Sequence, residues 1–149
     1  MNAEFKWIDG RSLDSSELEK IAEIDNQIPS EFDPSWKPDE AAHKERVEFY
    51  RKLSEGEFFQ VIYRQNEVVG FHVVRNANNS ICHTSTLWIH PSYRRMGLGK
   101  SLKEAGIAWA KERGFKVMQT GVHLANKRMT EINLGLGFKA HSVIYRLEL

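Results

Sequence analysis

The sequence predicts an α/β fold whose mixed, mostly antiparallel sheet is flanked by helices and belongs to a single domain. Two apolar runs, 58–63 and 68–74, are separated by R-Q-N-E and predict an antiparallel hairpin. A strand at 81–89, a helix at 98–113 and a strand at 116–122 follow. This order predicts a right-handed crossover with its two strands parallel. The 149 residues suit one ordinary core.

The segments before the hairpin are predicted as strand, helix, loop and helix. Alternating apolar residues indicate a strand at 4–9, and Asp14 with Glu17 has the capping-box spacing that opens a helix over 15–27. The next stretch, I-P-S-E-F-D-P-S-W-K-P-D-E, holds three of the four prolines, so we expect a shaped loop. A helix over about 39–53 should follow and end at S-E-G.

The proline-rich loop combines aromatic rings with acids, and this allows two interpretations. Phe32 and Trp36 could form the walls of a site for a cationic amine. The charge of such a site would come from four acids: Glu31, Asp33, Asp39 and Glu40. The alternative, which we favour, is a solvated loop whose aromatic rings cap the core.

The C-terminal part of the chain predicts one more helix and one more strand. The helix spans 126–136, Gly137 and Phe138 break it, and a strand at 143–148 closes the sheet.

Composition and charge exclude several classes of protein. Lys plus Arg against Asp plus Glu is 21 to 20, which argues against a protein specialised for coating nucleic acid. The N-terminus lacks an export signal, and no run of about 18 apolar residues indicates a membrane span. Cys82 is the only cysteine, which fits a reducing cytoplasm and a buried structural role. No histidine pair has the helical spacing of a metal site, so we expect no metal.

The junction between the strand at 81–89 and its helix has the character of an anion site. It reads L-W-I-H-P-S-Y-R-R-M-G-L-G-K-S-L. The first N–H groups of a helix have no intrahelical partner and lie at the positive end of the helix dipole. Gly97 and Gly99 remove the β-carbons that would keep an anion from these amides. Three cations surround the same turn: Arg94, Arg95 and Lys100. We therefore predict a diphosphate cradle.

The spacing R-x-x-G-x-G, between a strand and a helix, resembles the acyl-CoA loop of the GCN5-related N-acetyltransferase (GNAT) family. It matches neither the P-loop nor the dinucleotide-binding fingerprint. A second motif, N-K-R-M-T-E-I-N-L-G-L-G-F, is similar to the family's N-x-x-x-x-x-x-Y-x-x-x-G-F, with Asn126 and Gly137-Phe138 in register. The resemblance implies one acetyltransferase domain over residues 1–149, in which a central pair of parallel strands splays apart to hold acetyl-CoA.

The same resemblance implies which residues contact the cofactor. The pantetheine arm is assigned to the backbone of the strand, and the pyrophosphate to the loop and the start of the helix. The predicted contacts are Leu87, Trp88, Ile89, Arg94, Arg95, Met96, Gly97, Leu98, Gly99, Lys100 and Asn126. A backbone N–H near Ile89 is the implied donor to the oxyanion of the reaction.

Acetyl transfer to an amine also needs a base, because an alkylamine with pKa ~10 is mostly protonated at neutral pH. The two-residue period of the strand places His83 on the same face as Ile89, and some relatives carry a glutamate base at this offset from Arg94. The alternative is a half-buried strand histidine with an ordinary hydrogen bond. His123 is the second candidate and His72 the third.

Asn133 stands where many family members have a tyrosine that protonates the departing thiolate. An amide donates hydrogen bonds but cannot deliver a proton. Tyr93 and Tyr145 are candidate substitutes for this acid. The leading hypothesis is an N-acetyltransferase in which a small-molecule or protein amine attacks the thioester directly. The alternative is an acyl-CoA-binding protein or sensor with weak or lost transferase activity. Nucleic-acid binding is the least favoured hypothesis, and the resemblance leaves a homodimer open.

Overall fold

A computed structural model describes residues 4–149, so residues 1–3 of the predicted domain lie outside the description. Within residues 4–149, five strands form one sheet: β1 (Phe5–Asp9), β2 (Phe58–Arg64), β3 (Glu67–Asn78), β4 (Ile81–Ile89) and β5 (Val117–Thr120). They are ordered β1-β2-β3-β4-β5. Neighbouring strands are antiparallel except β4 and β5, which are parallel. The predicted mixed, mostly antiparallel sheet is confirmed.

Four α-helices of the described chain flank this sheet: α1 (Ser15–Gln27), α2 (Glu40–Arg51), α3 (Leu98–Glu112) and α4 (Lys127–Gly135). The predicted capping box opens α1, since Glu17 N donates to Asp14 Oδ1 at 2.9 Å and Asp14 N donates to Glu17 Oε1 at 3.4 Å. One apolar cluster joins α1 and α2 to the sheet, while α3 packs on two others. Between residues 4 and 149, no helix combines the length and apolarity needed to cross a bilayer.

Hydrogen bonds hold the loop between α1 and α2 in a defined shape. Trp36 Nε1 donates to the carbonyl of Asn26 at 2.6 Å, which ties the loop to the end of α1. Asp33 accepts from the backbone of Ser35, and Asp39 caps α2. These two acids therefore serve a turn and a helix end, and the ring of Trp36 anchors the loop.

The two parallel strands separate partway along β4. Pairing runs from Ile81 and Val117 to Thr84 and Thr120, where β5 ends. The remaining part of β4, residues 85–89, has no strand on that side within the described chain. This is the splay that the family resemblance implied.

β4 also contains an irregularity that the sequence pattern did not reveal. Val73 of β3 pairs with Thr86, whereas the next residue, Val74, pairs with Thr84. β4 therefore carries one extra residue at Ser85, which is a β-bulge. A bulge interrupts the two-residue alternation of side chains along a strand.

Because of this bulge, the prediction that His83 and Ile89 share a face of the sheet is wrong. The Thr84 hydroxyl faces α3, whereas the Thr86 hydroxyl reaches the buried Asp25 of α1 at 3.3 Å. Ile89 packs on the α3 side. His83 precedes the bulge and is out of phase with Ile89, so the two side chains do not share a face.

The predicted closing strand at 143–148 is also wrong. Residues 139–149 form neither strand nor helix, and all of them are exposed. Several large apolar side chains are among them: Val143, Ile144, Tyr145, Leu147 and Leu149. The segment alternates as a strand does, but a strand needs a partner for its backbone groups. Within the described chain it pairs with no other strand.

Candidate functional site

A cleft of about 870 Å³ opens between the start of α3, the end of β4 and α4. Its walls include nearly all the predicted cofactor contacts, namely 87–89, Arg94, Arg95, 97–100 and Asn126. Met96 is the exception, since its side chain is exposed outside the cleft. Residues far apart in the chain thus converge on one surface.

Other cleft residues were not predicted from the sequence. Lys127 and Arg128 stand in the first turn of α4, and Met129 and Ile132 complete that wall. Cations at a helix N-terminus lie at the positive end of the helix dipole, so they destabilise the helix unless an anion binds beside them. The sequence K-R directly after Asn126 was the available signal.

The turn before α3 leaves backbone donors open. Gly97 has φ +82°, and a Cβ built there would have no heavy atom within 4 Å. Within residues 4–149, the amides of Leu98, Gly99 and Lys100 donate to no acceptor. An anion can therefore approach these amides closely.

Arg94 has a second role besides the predicted one. Its Nε donates to the carbonyl of Ile89 at 2.8 Å, and its Nη2 pairs with Glu31 Oε1 at 2.7 Å. The side chain therefore fastens the α1–α2 loop to the end of β4. A guanidinium has further N–H groups, and those of Arg94 stay available to a phosphate. Arg95 and Lys100 are more exposed.

Two asparagines of α4 differ in their surroundings. Asn126 caps the helix, since its Oδ1 accepts from Met129 N at 3.1 Å, and it lines the cleft. Asn133 is only 6% exposed, and within residues 4–149 its Oδ1 has no hydrogen-bond partner. A buried amide oxygen without a partner is costly, so the Oδ1 atom of Asn133 lowers the stability of the fold.

The candidate bases lie in three different environments. His83 is exposed and does not line the cleft. His123 stacks on Phe32 of the cleft wall at 5.1 Å between ring centroids, and its Nδ1 accepts from Ala125 N at 3.0 Å. His72 is wholly buried; burial and then a neighbouring ammonium lower its pKa to about 3, so it stays neutral and is a poor base.

The cleft as a whole fits a ligand with phosphates at one end and an apolar chain at the other. Four cations line the same cleft as the open end of α3: Arg95, Lys100, Lys127 and Arg128. The floor is the apolar end of β4, where Leu87 and Ile89 face Ile132 across Gly99. Among residues 4–149, no three His, Cys, Asp or Glu side chains group as metal ligands.

Comparisons with known proteins agree with this geometry. The model of the acetyltransferase (GNAT) family matches residues 18–138. No curated protein matches the chain in sequence. Among solved structures, a Pyrococcus furiosus protein assigned to the acetyl transferases has 24% identity and a TM-score of 0.74, over 98% of this chain and 100% of that one.

Two aminoglycoside acetyltransferases are also similar in structure. AAC(6')-Iy, solved with CoA, has 18% identity and a TM-score of 0.69, over 100% of this chain and 98% of that one. AAC(6')-Ih from Acinetobacter baumannii has 15% identity and a TM-score of 0.69, over 98% and 99%. Identities this low show a shared fold.

Proposed function

Because this chain belongs to the acetyltransferase (GNAT) family, we propose that it is an N-acetyltransferase using acetyl-CoA. Its acceptor is a primary amine of a small molecule or a protein, which attacks the thioester directly. One observation carries the proposal: the open amides of α3 and the unpaired end of β4 form one continuous cleft. The first suits the diphosphate of acetyl-CoA and the second suits its pantetheine arm.

The diphosphate end is supported by charge and by space. Arg95 and Lys100 add formal charge to the partial charge of the open amides. Gly99 matters for the space, because a Cβ there would meet Ile89, Ile132 and Leu87 at 3.6–3.9 Å. A single methyl group fits at such distances, whereas a branched side chain would fill the cleft.

The arm end is supported by the unpaired stretch of β4. Beyond Thr84, the backbone that faces away from β3 has no strand to pair with among the described residues. The amides of pantetheine are suitable partners for such groups. We propose that a backbone N–H near Ile89 stabilises the oxyanion that forms on the thioester carbonyl.

We propose that the general base is either His83 or His123. His123 is the nearer to the cleft through Phe32, but Ala125 N occupies the lone pair of its Nδ1. The neutral ring therefore carries its proton on Nε2, and it must give up the hydrogen bond from Ala125 before Nδ1 can accept another proton. His83 has no such constraint but lies outside the cleft.

Substitution of each histidine by alanine separates these candidates. Loss of the true base should depress kcat/KM at neutral pH and leave it nearly unchanged at alkaline pH, where free amine is abundant. The other variant serves as the control and should keep the wild-type profile. Equal losses at every pH in both variants would assign the base to another group.

The proposed activity is tested by two measurements on the wild-type chain. Calorimetric titration with CoA should show a single site. Release of free CoA from acetyl-CoA should then depend on an amine from a panel of an aminoglycoside, a polyamine, an amino acid and a lysine peptide. If the chain did not bind CoA, the proposal that it uses acetyl-CoA would be wrong.

A second function, an acyl-CoA-binding protein with weak or lost turnover, is favoured by Asn133. This buried amide occupies the position of the family's usual proton donor and cannot give up a proton. Tight CoA binding without amine-dependent release of CoA would support this alternative over the enzyme.

We also propose that the chain forms a homodimer. The exposed apolar side chains of residues 139–149 support it, as does the edge of β5, which is unpaired within the described chain. Light scattering should give twice the mass of one chain. The double variant Ile144→Asp and Leu147→Asp should be monomeric, and a monomeric wild type would contradict the proposal.

A further inference from the structure

Lys103 is a charged residue in the middle of α3, yet its side chain is wholly buried. Its Nζ donates to Thr120 Oγ1 at 3.1 Å and to Thr84 Oγ1 at 3.4 Å. These two threonines form the last pair between β4 and β5. The ammonium group thus bridges the two strands at the point where they begin to separate.

This point lies one helical turn beyond the lining of the cleft. Gly99 lines the cleft, and Lys103 follows it on the same helix face one turn further, about 6 Å along α3. On the opposite wall, Met129 lines the cleft and Asn133 follows it one turn further along α4. The two buried polar side chains therefore lie beyond the two cleft residues.

Both of these side chains have unused hydrogen-bonding capacity. An ammonium has more N–H donors than the two threonine bonds use, and the ring of Phe138 covers Nζ at 5.2 Å from its centroid. Asn133 Oδ1 is an acceptor without a partner among residues 4–149. A donor and an acceptor are thus left over, each one helical turn beyond a residue that lines the cleft.

A hydrogen-bond chain fixes Lys103 as the donor. His72 Nδ1 lies 3.0 Å from the carbonyl of Leu102, which can only accept, so Nδ1 carries the proton of this neutral ring. His72 Nε2 must then accept from the Thr84 hydroxyl, 3.3 Å away. The Thr84 oxygen is left to accept from Lys103.

The charge of Lys103 is not neutralised by the fold. His72 of β3 is the titratable group that faces it, and β4 and β5 contribute only the threonine hydroxyls. Among the described residues, Lys103 forms no ion pair with a carboxylate. Burial lowers the pKa of Lys103 to about 8, which is close to that of a thiol.

We propose that Lys103 stabilises and protonates the departing thiolate of CoA, the task that Asn133 cannot perform. The inference rests on the proposed function. The new N–C bond forms at the thioester carbonyl, the C–S electron pair passes to sulfur, and sulfur takes a proton from Lys103 Nζ. The proton lost by the amine passes to the base and then to water, from which Lys103 regains one. Asn133 Oδ1 accepts the hydrogen bond of the S–H group.

The test is the ionisation of CoA bound to the protein, followed by the ultraviolet absorbance of the thiolate. Because a nearby cation favours the thiolate, the bound thiol should have a proton affinity about tenfold lower in the wild type than in Lys103→Met. Lys103→Arg keeps the cation and should keep this effect. Lys111→Met, on the exposed face of the same helix, is the matched control and should behave as the wild type.

Turnover with an acceptor from the amine panel distinguishes charge from proton transfer. The wild-type kcat should fall above about pH 8, as Lys103 loses its proton. Lys103→Arg should be slower and lack this fall, because arginine does not release its proton. Equal thiol ionisation in the wild type and Lys103→Met would overturn the inference. Failure of the wild type to bind CoA would instead overturn the proposed function.

Discussion

The two ends of α3 carry glycines in the same conformation but in opposite surroundings. Gly97 precedes the helix with φ +82° and Gly114 follows it with φ +84°, and neither would bring a Cβ within 4 Å of another heavy atom. Behind the helix, the chain closes on itself. Gly114 N donates to the Lys111 carbonyl at 3.1 Å, and Phe115 N donates to the Ala110 carbonyl at 3.0 Å.

The front end stays open. The amides of Leu98, Gly99 and Lys100 donate to no acceptor in the described chain. At the start of α1, by contrast, the Asp14 side chain accepts a hydrogen bond from a backbone amide of the first turn. The left-handed glycine therefore terminates the helix at one end and leaves open amides at the other. This difference is the reason for proposing a binding site at the front end, since glycine alone does not indicate one.

Valine substitution at each glycine is the strongest test of this difference between the two ends of α3. Both variants force a β-branched side chain to positive φ, so each should lower the free energy of unfolding by about 1–2 kcal/mol. Only Gly97→Val should weaken CoA binding, by roughly 100-fold or about 2.7 kcal/mol. Denaturant unfolding and calorimetric titration measure the two effects. Equal CoA affinity in both variants would show that the open amides do not hold the ligand.

Lys103 lies between these two ends of α3, and it is a buried cation. Burial lowers its pKa from 10.5 to about 8. Below about pH 8 the lysine is protonated in both states, and the full cost of burying the charge opposes folding. Between about pH 8 and 10.5 the unfolded chain binds more protons, so the stability of the wild type should rise with pH.

Lys103→Met should therefore be the more stable protein at neutral pH, by up to about 3 kcal/mol. The advantage should shrink as the pH rises through the interval in which wild-type Lys103 loses its proton. Urea unfolding of both proteins across this interval measures the difference. A difference that is constant with pH would mean that folding does not shift the pKa of Lys103.

The contrast also explains what the sequence could predict. The front of α3 was predictable because its signals are local: two glycines, three cations and a strand-to-helix junction in one stretch. Lys103 was not, because a lysine in an amphipathic helix is normally solvated, and only tertiary packing shows this one to be buried.

Two other errors have the same origin. The bulge at Ser85 depends on how β3 and β4 pair, and one extra residue reversed the face predicted for His83 relative to Ile89. The closing strand at 143–148 has the alternation of a strand, but alternation does not supply a partner. Patterns within one segment were predictable, whereas relations between segments were not.

The finest comparison uses the exposed lysines at the two ends of α3, Lys100 in the first turn and Lys111 in the last. The helix dipole opposes a cation at the first position and favours one at the second. Lys100→Gln should therefore raise stability by a few tenths of a kcal/mol, and Lys111→Gln should lower it by a similar amount. CoA affinity should change in one variant only, falling about 3- to 10-fold in Lys100→Gln.

Salt distinguishes the origin of that loss. An exposed ammonium acts on the diphosphate through a screened field, so the affinity gap between the wild type and Lys100→Gln should narrow as ionic strength rises. Titrations with CoA at low and high salt measure it, with Lys111→Gln as the control. A gap that persists at high salt would mean that Lys100 acts through a direct, desolvated contact, and the open amides of α3 would then carry less of the binding energy than this geometry implies.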